Sequence, residues 1–344
     1  MSQHRLLAEW EPQSAVLLTW PHADTDWAWI LGRAQHTYLD LAFHITRFAH
    51  LLIAAPAAIH QSLHQALQTR GVDLAKVQVY DVPSNDTWAR DHGPLTVATE
   101  SGLQLLDFCF NGWGNKYPAQ LDNQITQRLA EAGAFAVPVS SRDLVLEGGA
   151  IETDGAGTLL TTEACLLNPN RNPHLSREEI EACLMREFGV RKINWLSAGY
   201  LQGDDTDSHI DTLARLCPQT TLAYVQCDDP QDPHFSELQA MQACLQQMSD
   251  ADGRPYRLVP LPWPQAKYNA AGERLPATYA NFLILNGAVL VPVYADPRDA
   301  EALSQVGKAF PGYEIVPIDC QALIEQHGSL HCVTMQLPEG VYCP

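Results

Sequence analysis

The chain has 344 residues, 46% of them hydrophobic, enough for a sizeable core in either one closed α/β unit or two domains. Its 21 basic and 40 acidic residues leave a formal charge of -19, so the basic face that nucleic-acid binding requires is missing. The same charge would draw small cations toward an acidic cleft, although acidity also serves solubility alone.

Taken in order, residues 15–20 read as a buried strand stopped by Pro21, followed by a loop with Asp24, Asp26, Trp27 and Trp29. Tyr38, Leu41, Ala42, Ile45 and Phe48 fall at helical spacing within 32–49. A strand at 51–55, a helix over 57–69 and a strand at 77–80 follow. The polar loop 85–94 leads into a hairpin at 95–98 and 103–108. Turn chemistry at 111–115 precedes a helix near 120–132, and 144–160 reads as strand, turn, strand. Ser176 with Glu179 forms a capping-box pattern at the head of a helix reaching 188. Strands are expected at 192–196, 209–216 and 221–226, a helix near 234–248 and a strand at 257–261. Asn286-Gly287 predicts a tight hairpin within 281–294. A helix at 298–309, a strand at 314–318 and a short helix near 320–326 complete the pattern. No linker or shift in composition marks a boundary, so 1–344 reads as one domain. Strand pairs recur with one helix at a spacing of roughly 60–70 residues, a weak internal repeat.

Nine cysteines, an odd number with no Cys-x-x-Cys pair, indicate neither a disulfide framework nor a zinc knuckle. Residues 1–10 lack the apolar core of a signal peptide, and no apolar run approaches the ~20 residues of a membrane span. A cytoplasmic location without membrane contact is expected.

The densest chemistry lies between Asp204 and Asp211, where four aspartates and His209 occupy eight residues. Such crowding is unfavourable unless a cation or metal binds, or the segment is simply a solvated loop. On an extended strand His209 and Asp211 would share a face and suit acid–base work. A metal held by His209 with Asp204, Asp205 and Asp207 is a weaker reading, because the spacing misses the EF-hand pattern. Glu147, at the end of Leu144-Val-Leu and before Gly-Gly, is costly if buried unpaired and unremarkable if it faces water on an edge strand. Asp91 beside Arg90 reads either as a ligand carboxylate or as a surface ion pair. Cys332 is a candidate nucleophile if a distant histidine serves it, and otherwise a core thiol; His331 beside it is the weaker partner.

Four motifs occur here in the order found in agmatine deiminases: Asn85-Asp-x-Trp-x-Arg-Asp-x-Gly-Pro94, Glu147-Gly-Gly, Asp204-Asp-Thr-Asp-x-His-x-Asp211 and Gly328-Ser-Leu-His-Cys332. The segment 10–22 is similar too, so the chain resembles that family over nearly its whole length. With the bacterial peptidyl-arginine deiminases, the family belongs to the guanidino-group-modifying (pentein) superfamily. The resemblance implies an α/β fold, a five-bladed pseudo-symmetric propeller with its active site in the central channel. It implies Cys332 as nucleophile, His209 as acid and base, and Asp91, Glu147 and Asp211 as guanidinium-binding carboxylates, with Glu147 also orienting the histidine. Asp205 matches a substrate contact, Trp88 belongs to the same pocket, and no metal or organic cofactor is implied. Two departures stand out: Ser208 replaces a usual glycine, and His327-Gly-Ser-Leu replaces a more glycine-rich turn.

The partner so implied is a small cationic guanidino compound, agmatine, hydrolysed in putrescine and polyamine synthesis; superfamily members of this size often form homodimers. The same chemistry would serve free arginine or a protein arginine. A non-catalytic guanidino-binding protein is the reading from another class.

Overall fold

In a computed structural model, which describes residues 4–342, one supersecondary unit recurs four times: an antiparallel hairpin, a helix, and a strand laid parallel to the second hairpin strand. The first runs Leu95–Thr99, Gly102–Cys109, helix Ile125–Glu131 and Val139–Val145. The second runs Ile151–Thr153, Thr158–Thr162, helix Arg177–Phe188 and Lys192–Leu196. The third is Ala214–Cys217, Thr221–Gln226, helix Phe235–Gln247 and Arg257–Pro262. The fourth is Leu283–Leu285, Ala288–Val293, helix Asp299–Ala309 and Glu314–Asp319.

A fifth unit joins the two ends of the chain. Thr334–Pro338 lies antiparallel to Gln13–Thr19, which pairs in parallel with His50–Ala55 across helix Leu31–Ile45. A further helix, His60–Arg70, and the strand Val77–Asp81 extend this sheet. Central strands such as His50–Ala55 are apolar and almost wholly buried, as expected when helices cover a parallel sheet. Helices also bridge neighbouring units: Phe235–Gln247 touches Lys192–Leu196, Asp299–Ala309 touches Arg257–Pro262, and Leu31–Ile45 touches Glu314–Asp319.

Local signals explain most boundaries. The Ser176–Glu179 capping box is formed in both directions, and Gly189 ends that helix in the left-handed conformation. Gly287 has a φ of 74°, which the Asn-Gly turn demands. Three expectations change. The strand expected at 209–216 begins only at Ala214, because Ile210–Thr212 form a 3-10 turn. Val139–Val145 joins the preceding sheet and ends before Glu147, so no edge strand carries that residue. The short helix near 320–326 is a 3-10 turn, Leu323–Gln326. Among the described residues no helix is long and apolar enough to cross a membrane. Residues 1–3 and Cys343, included in the reading of the N-terminus and of the cysteine count, lie outside the described residues.

One charged residue sits where these units meet. Arg215 is fully buried; its Nη2 donates to Glu9 at 2.6 Å, its Nε to Glu152, and its Nη1 to the carbonyl of Ala280 at 3.1 Å and to that of Phe282. Its guanidinium also lies 4.5 Å from the Phe282 ring centroid. Removing such a cation strands two buried carboxylates. Arg215→Met is expected to lower unfolding stability by about 3–5 kcal/mol in urea titrations. A loss below about 1 kcal/mol would mean the acids rearrange toward water.

Candidate functional site

Where the loop after Val77–Asp81 meets those before Ala214–Cys217 and Thr334–Pro338, a pocket of about 400 Å³, its open mouth included, is lined by Asp91 and Cys332 among others. Its walls include Trp88, Trp113, Tyr117 and Gly328, and its carboxylates are Asp26, Asp86, Asp91 and Asp205. No lysine or arginine lines it. Gly328 is required by packing: a Cβ there would come within 2.0 Å of the Trp88 ring.

Asp91 sits in the one-turn helix Ala89–His92, set by the polar loop that ends in Gly93-Pro94. It is 4% exposed, so the surface ion pair with Arg90 does not exist; Arg90 is equally buried and its Nη1 reaches Met335 Sδ instead. Trp113 Nε1 donates to Asp91 Oδ2 at 2.9 Å and the Gly149 amide to Oδ1 at 3.0 Å. Burial pushes the Asp91 carboxyl up to about 6, although neighbouring His209 pulls it down.

His209, Asp211 and Glu147 lie just beneath the pocket, each fully buried. His209 and Asp211 are brought together by the 3-10 turn that His209 precedes, not by strand alternation. His209 Nδ1 stands 3.6 Å from Asp91 Oδ1. A Cβ built on Gly149 would meet His209 Nδ1 at 2.6 Å, Asp91 Oδ1 at 2.8 Å and Asp211 Oδ2 at 3.2 Å, so three charged side chains converge over this bare backbone. Both ring nitrogens of His209 and Oδ1 of Asp211 have no hydrogen-bond partner. Buried polar atoms are seldom left in that state. Burial alone would lower the His209 pKa, but Asp91, Cys165 and Glu147 raise it well above the ordinary imidazole range. Cys165 is itself pushed up by burial, so at neutral pH the two carboxylates carry this effect.

Cys332 closes the turn before the last strand. Its amide and thiol both donate to Asn281 Oδ1, at 3.2 and 3.3 Å, as does the His331 amide at 2.9 Å. The Arg90 amide donates to the Cys332 carbonyl at 3.1 Å. Burial, with Asp211 and Asp91 nearby, holds the thiol well above its usual range. His331, the weaker candidate in the sequence, is instead the partner of Asp211: Nδ1 to Oδ2 is 2.7 Å, and Nε2 to Glu9 is 2.9 Å. Burial would raise the Asp211 pKa, yet the His331 bond and charge overcome it and hold Asp211 ionised.

The acidic run divides by role. Asp204 accepts from the Thr206 and Ser208 amides and so shapes the loop. Asp207 pairs with Arg171 at 2.6 Å and Lys116 at 2.8 Å, which relieves the repulsion that the sequence suggested. Only Asp205 faces the pocket, accepting from the Tyr117 hydroxyl at 2.8 Å. Ser208 and His327, the two departures from the family pattern, have φ of 65° and 68°, angles that glycine adopts without strain. Asp26 lines the pocket, whereas Asp24 extends into solvent.

Arg171, Asn281, Tyr117, Cys165 and Asp86 escaped sequence reasoning. Asp86 stood within the motif that begins at Asn85, and Asn281, polar before the apolar run Phe282-Leu-Ile-Leu285, carried a faint signal. Arg171 Nε donates to both Glu147 oxygens, at 2.9 and 3.0 Å. Among the described residues, Glu147, Cys165 and His209 form one group with metal-ligand potential, and Glu9, Glu152 and His331 form another. The guanidinia of Arg171 and Arg215 already engage the carboxylates of these groups.

The model of the Porphyromonas-type peptidyl-arginine deiminases matches residues 5–338. A Pseudomonas fluorescens agmatine deiminase is 35% identical over 96% of this chain and 94% of its own. A C. jejuni agmatine deiminase with substrate bound superposes with a TM-score of 0.91 at 36% identity, covering 98% of this chain and 97% of that one. A Porphyromonas gingivalis protein, provisionally named an arginine deiminase, gives 0.91 at 48% identity over 99% of this chain and all of its own.

The raised thiol makes a measurable statement. Alkylation of Cys332 by iodoacetamide in the free protein should be slow at neutral pH and accelerate only as the solution becomes strongly alkaline. Rapid labelling at neutral pH would show that the thiolate already exists before any ligand arrives.

Proposed function

The chain belongs to the Porphyromonas-type peptidyl-arginine deiminase family, and from that premise we propose that it hydrolyses agmatine to N-carbamoylputrescine and ammonia. The observation that carries this reading is a pocket with four carboxylates, no lysine or arginine, and a thiol at its floor. Agmatine offers a guanidinium at one end and an ammonium at the other, without the carboxylate for which an arginine substrate would need a cation. The relatives named agmatine deiminases at 35–36% identity support it.

In this reading the guanidinium lies over Gly149, its planar N–H groups donating to Asp91 and Asp211. The incoming cation replaces the one that the buried carboxylates lack and lowers the thiol pKa, so Cys332 releases its proton to solvent as substrate enters. The thiolate attacks the guanidinium carbon. The tetrahedral adduct collapses as His209, kept protonated by Asp91 and Glu147, delivers a proton to the departing ammonia. Glu147, held by Arg171, orients His209. The neutral imidazole then takes a proton from water attacking the amidino-thioether. A second collapse expels the Cys332 thiolate, and the adduct's hydroxyl loses its proton to solvent as the neutral ureido product leaves. Trp88 walls the cleft, and Asp205 with Asp86 receives the distal ammonium. Burial raises both of these acids, Asp86 to about 8, so an arriving ammonium favours their ionised forms.

We read residues 1–344 as one catalytic unit and the five repeats as blades of a pseudo-symmetric propeller around a central channel. The helix-mediated contacts between successive units, including the contact between the first helix and Glu314–Asp319, support that closure. A cytoplasmic role in putrescine synthesis follows from the agmatine reading. A second substrate has one specific observation in its favour: the P. gingivalis protein provisionally named an arginine deiminase is 48% identical.

Ammonia release should be measured with agmatine, free arginine and an arginyl peptide, in wild type and Cys332→Ala. Agmatine is expected to be turned over preferentially and only by wild type; preference for either arginine substrate would transfer the same chemistry to that substrate. Asp205→Asn should raise KM for agmatine about tenfold with kcat little changed, because Asp205 is remote from the reacting carbon. An equal loss in kcat would place it in the chemical step. For wild type, kcat/KM should rise with pH through about 6 as Asp91 ionises and go on rising into the alkaline range, because this ratio reports the free enzyme, whose thiol is held up. A profile that levels off just above 6 would show that the thiolate is already formed in the free enzyme.

A further inference from the structure

One peptide bond from Asp91, Arg90 holds a buried cation that the deiminase chemistry leaves unused. It is 3% exposed, its Nη1 lies 3.7 Å from Met335 Sδ, and its Nε and Nη2 have no hydrogen-bond partner. Those two nitrogens form the side-on edge of the guanidinium, the fork that fits both oxygens of a carboxylate. Buried donors of this kind are seldom left without an acceptor.

Arg90 lines a second cavity of about 510 Å³, mouth included, which shares no residue with the substrate pocket. Thr96 and Gln336 line it as well, and both Thr96 Oγ1 and Gln336 Oε1 lack partners. Three side chains with unsatisfied polar atoms therefore border one cavity. Glu9 and Glu152 border it too, Glu9 paired with Arg215 and His331 and Glu152 paired with Arg215. A dianion such as phosphate would be repelled by these acids. A single carboxylate that also carries an ammonium would satisfy the fork and present a positive end to the acids.

We propose that this cavity is a second ligand site for a small zwitterionic carboxylate, an amino acid or short amino-terminated acid. Its carboxylate rests on the Arg90 fork and the Thr96 hydroxyl, and its ammonium turns toward Gln336 Oε1, Glu9 and Glu152. The two sites share backbone, since the Arg90 amide donates to the Cys332 carbonyl.

The test is calorimetric titration of the full chain with glycine, acetate and inorganic phosphate, repeated on Arg90→Lys and Thr96→Val. Glycine should bind more tightly than acetate and phosphate least well. Arg90→Lys, which keeps the charge and loses the fork, should weaken glycine about tenfold or more. Thr96→Val should also weaken it while leaving ammonia release unchanged, and this variant decides the matter should Arg90→Lys fail to fold. Glycine binding should persist in Cys332→Ala saturated with agmatine. Absence of binding by all three probes, binding unaltered in both variants, tighter binding of phosphate than of glycine, or displacement of glycine by agmatine would each overturn the proposal.

Discussion

The cost of burying carboxylates organises this molecule. Glu9, Asp91, Glu147, Glu152 and Asp211 are all buried, and each would be forced neutral or expelled without cationic partners. Arg215 answers Glu9 and Glu152, Arg171 answers Glu147, and His331 answers Asp211. Asp91 receives hydrogen bonds from Trp113 and Gly149 but no cation at bonding distance, His209 standing 3.6 Å away. The site is thus short of positive charge on the side that faces the pocket. In the proposed reaction a guanidinium supplies that missing charge and lets the buried thiol ionise.

Rigid scaffolding makes that deficit durable. Reactive residues come from loops, yet every loop is anchored by backbone or buried side-chain bonds. Asn281 grips the His331 and Cys332 amides together with the thiol, and Arg90 ties the Asp91 turn to the Cys332 carbonyl. Asp204 closes its own loop through the Thr206 and Ser208 amides, which allows Asp205 to face the cleft and Asp207 to turn to Arg171. Strained left-handed angles at Asp207, Ser208 and His327 cluster around the same cleft.

The regular elements were largely legible because their causes are local. The Asn286-Gly287 hairpin, the Ser176 capping box and the buried run at 51–55 each carry their instruction within a few residues. Errors arose where a polar cluster mimicked a periodic one. Alternation suggested a strand from His209, but the Asp204 loop bends the backbone into a 3-10 turn and delays the strand to Ala214. Arg90 beside Asp91 suggested a surface pair, because adjacency in sequence says nothing of depth.

By itself the sequence determined the α/β alternation, the weak repeat, and the motifs around Asp91, Glu147, His209, Asp211 and Cys332. These depend on spacing and residue type, which a linear chain displays. Tertiary structure alone decided that His331 serves Asp211, that Arg171 holds Glu147, and that Asn281 holds Cys332. It also decided that Asp204 shapes its own loop and Asp207 turns to Arg171, leaving Asp205 to line the pocket as the motif implied. Such pairings join residues far apart in sequence, and their strength comes from exclusion of water, a property that exists only after the chain has closed around them.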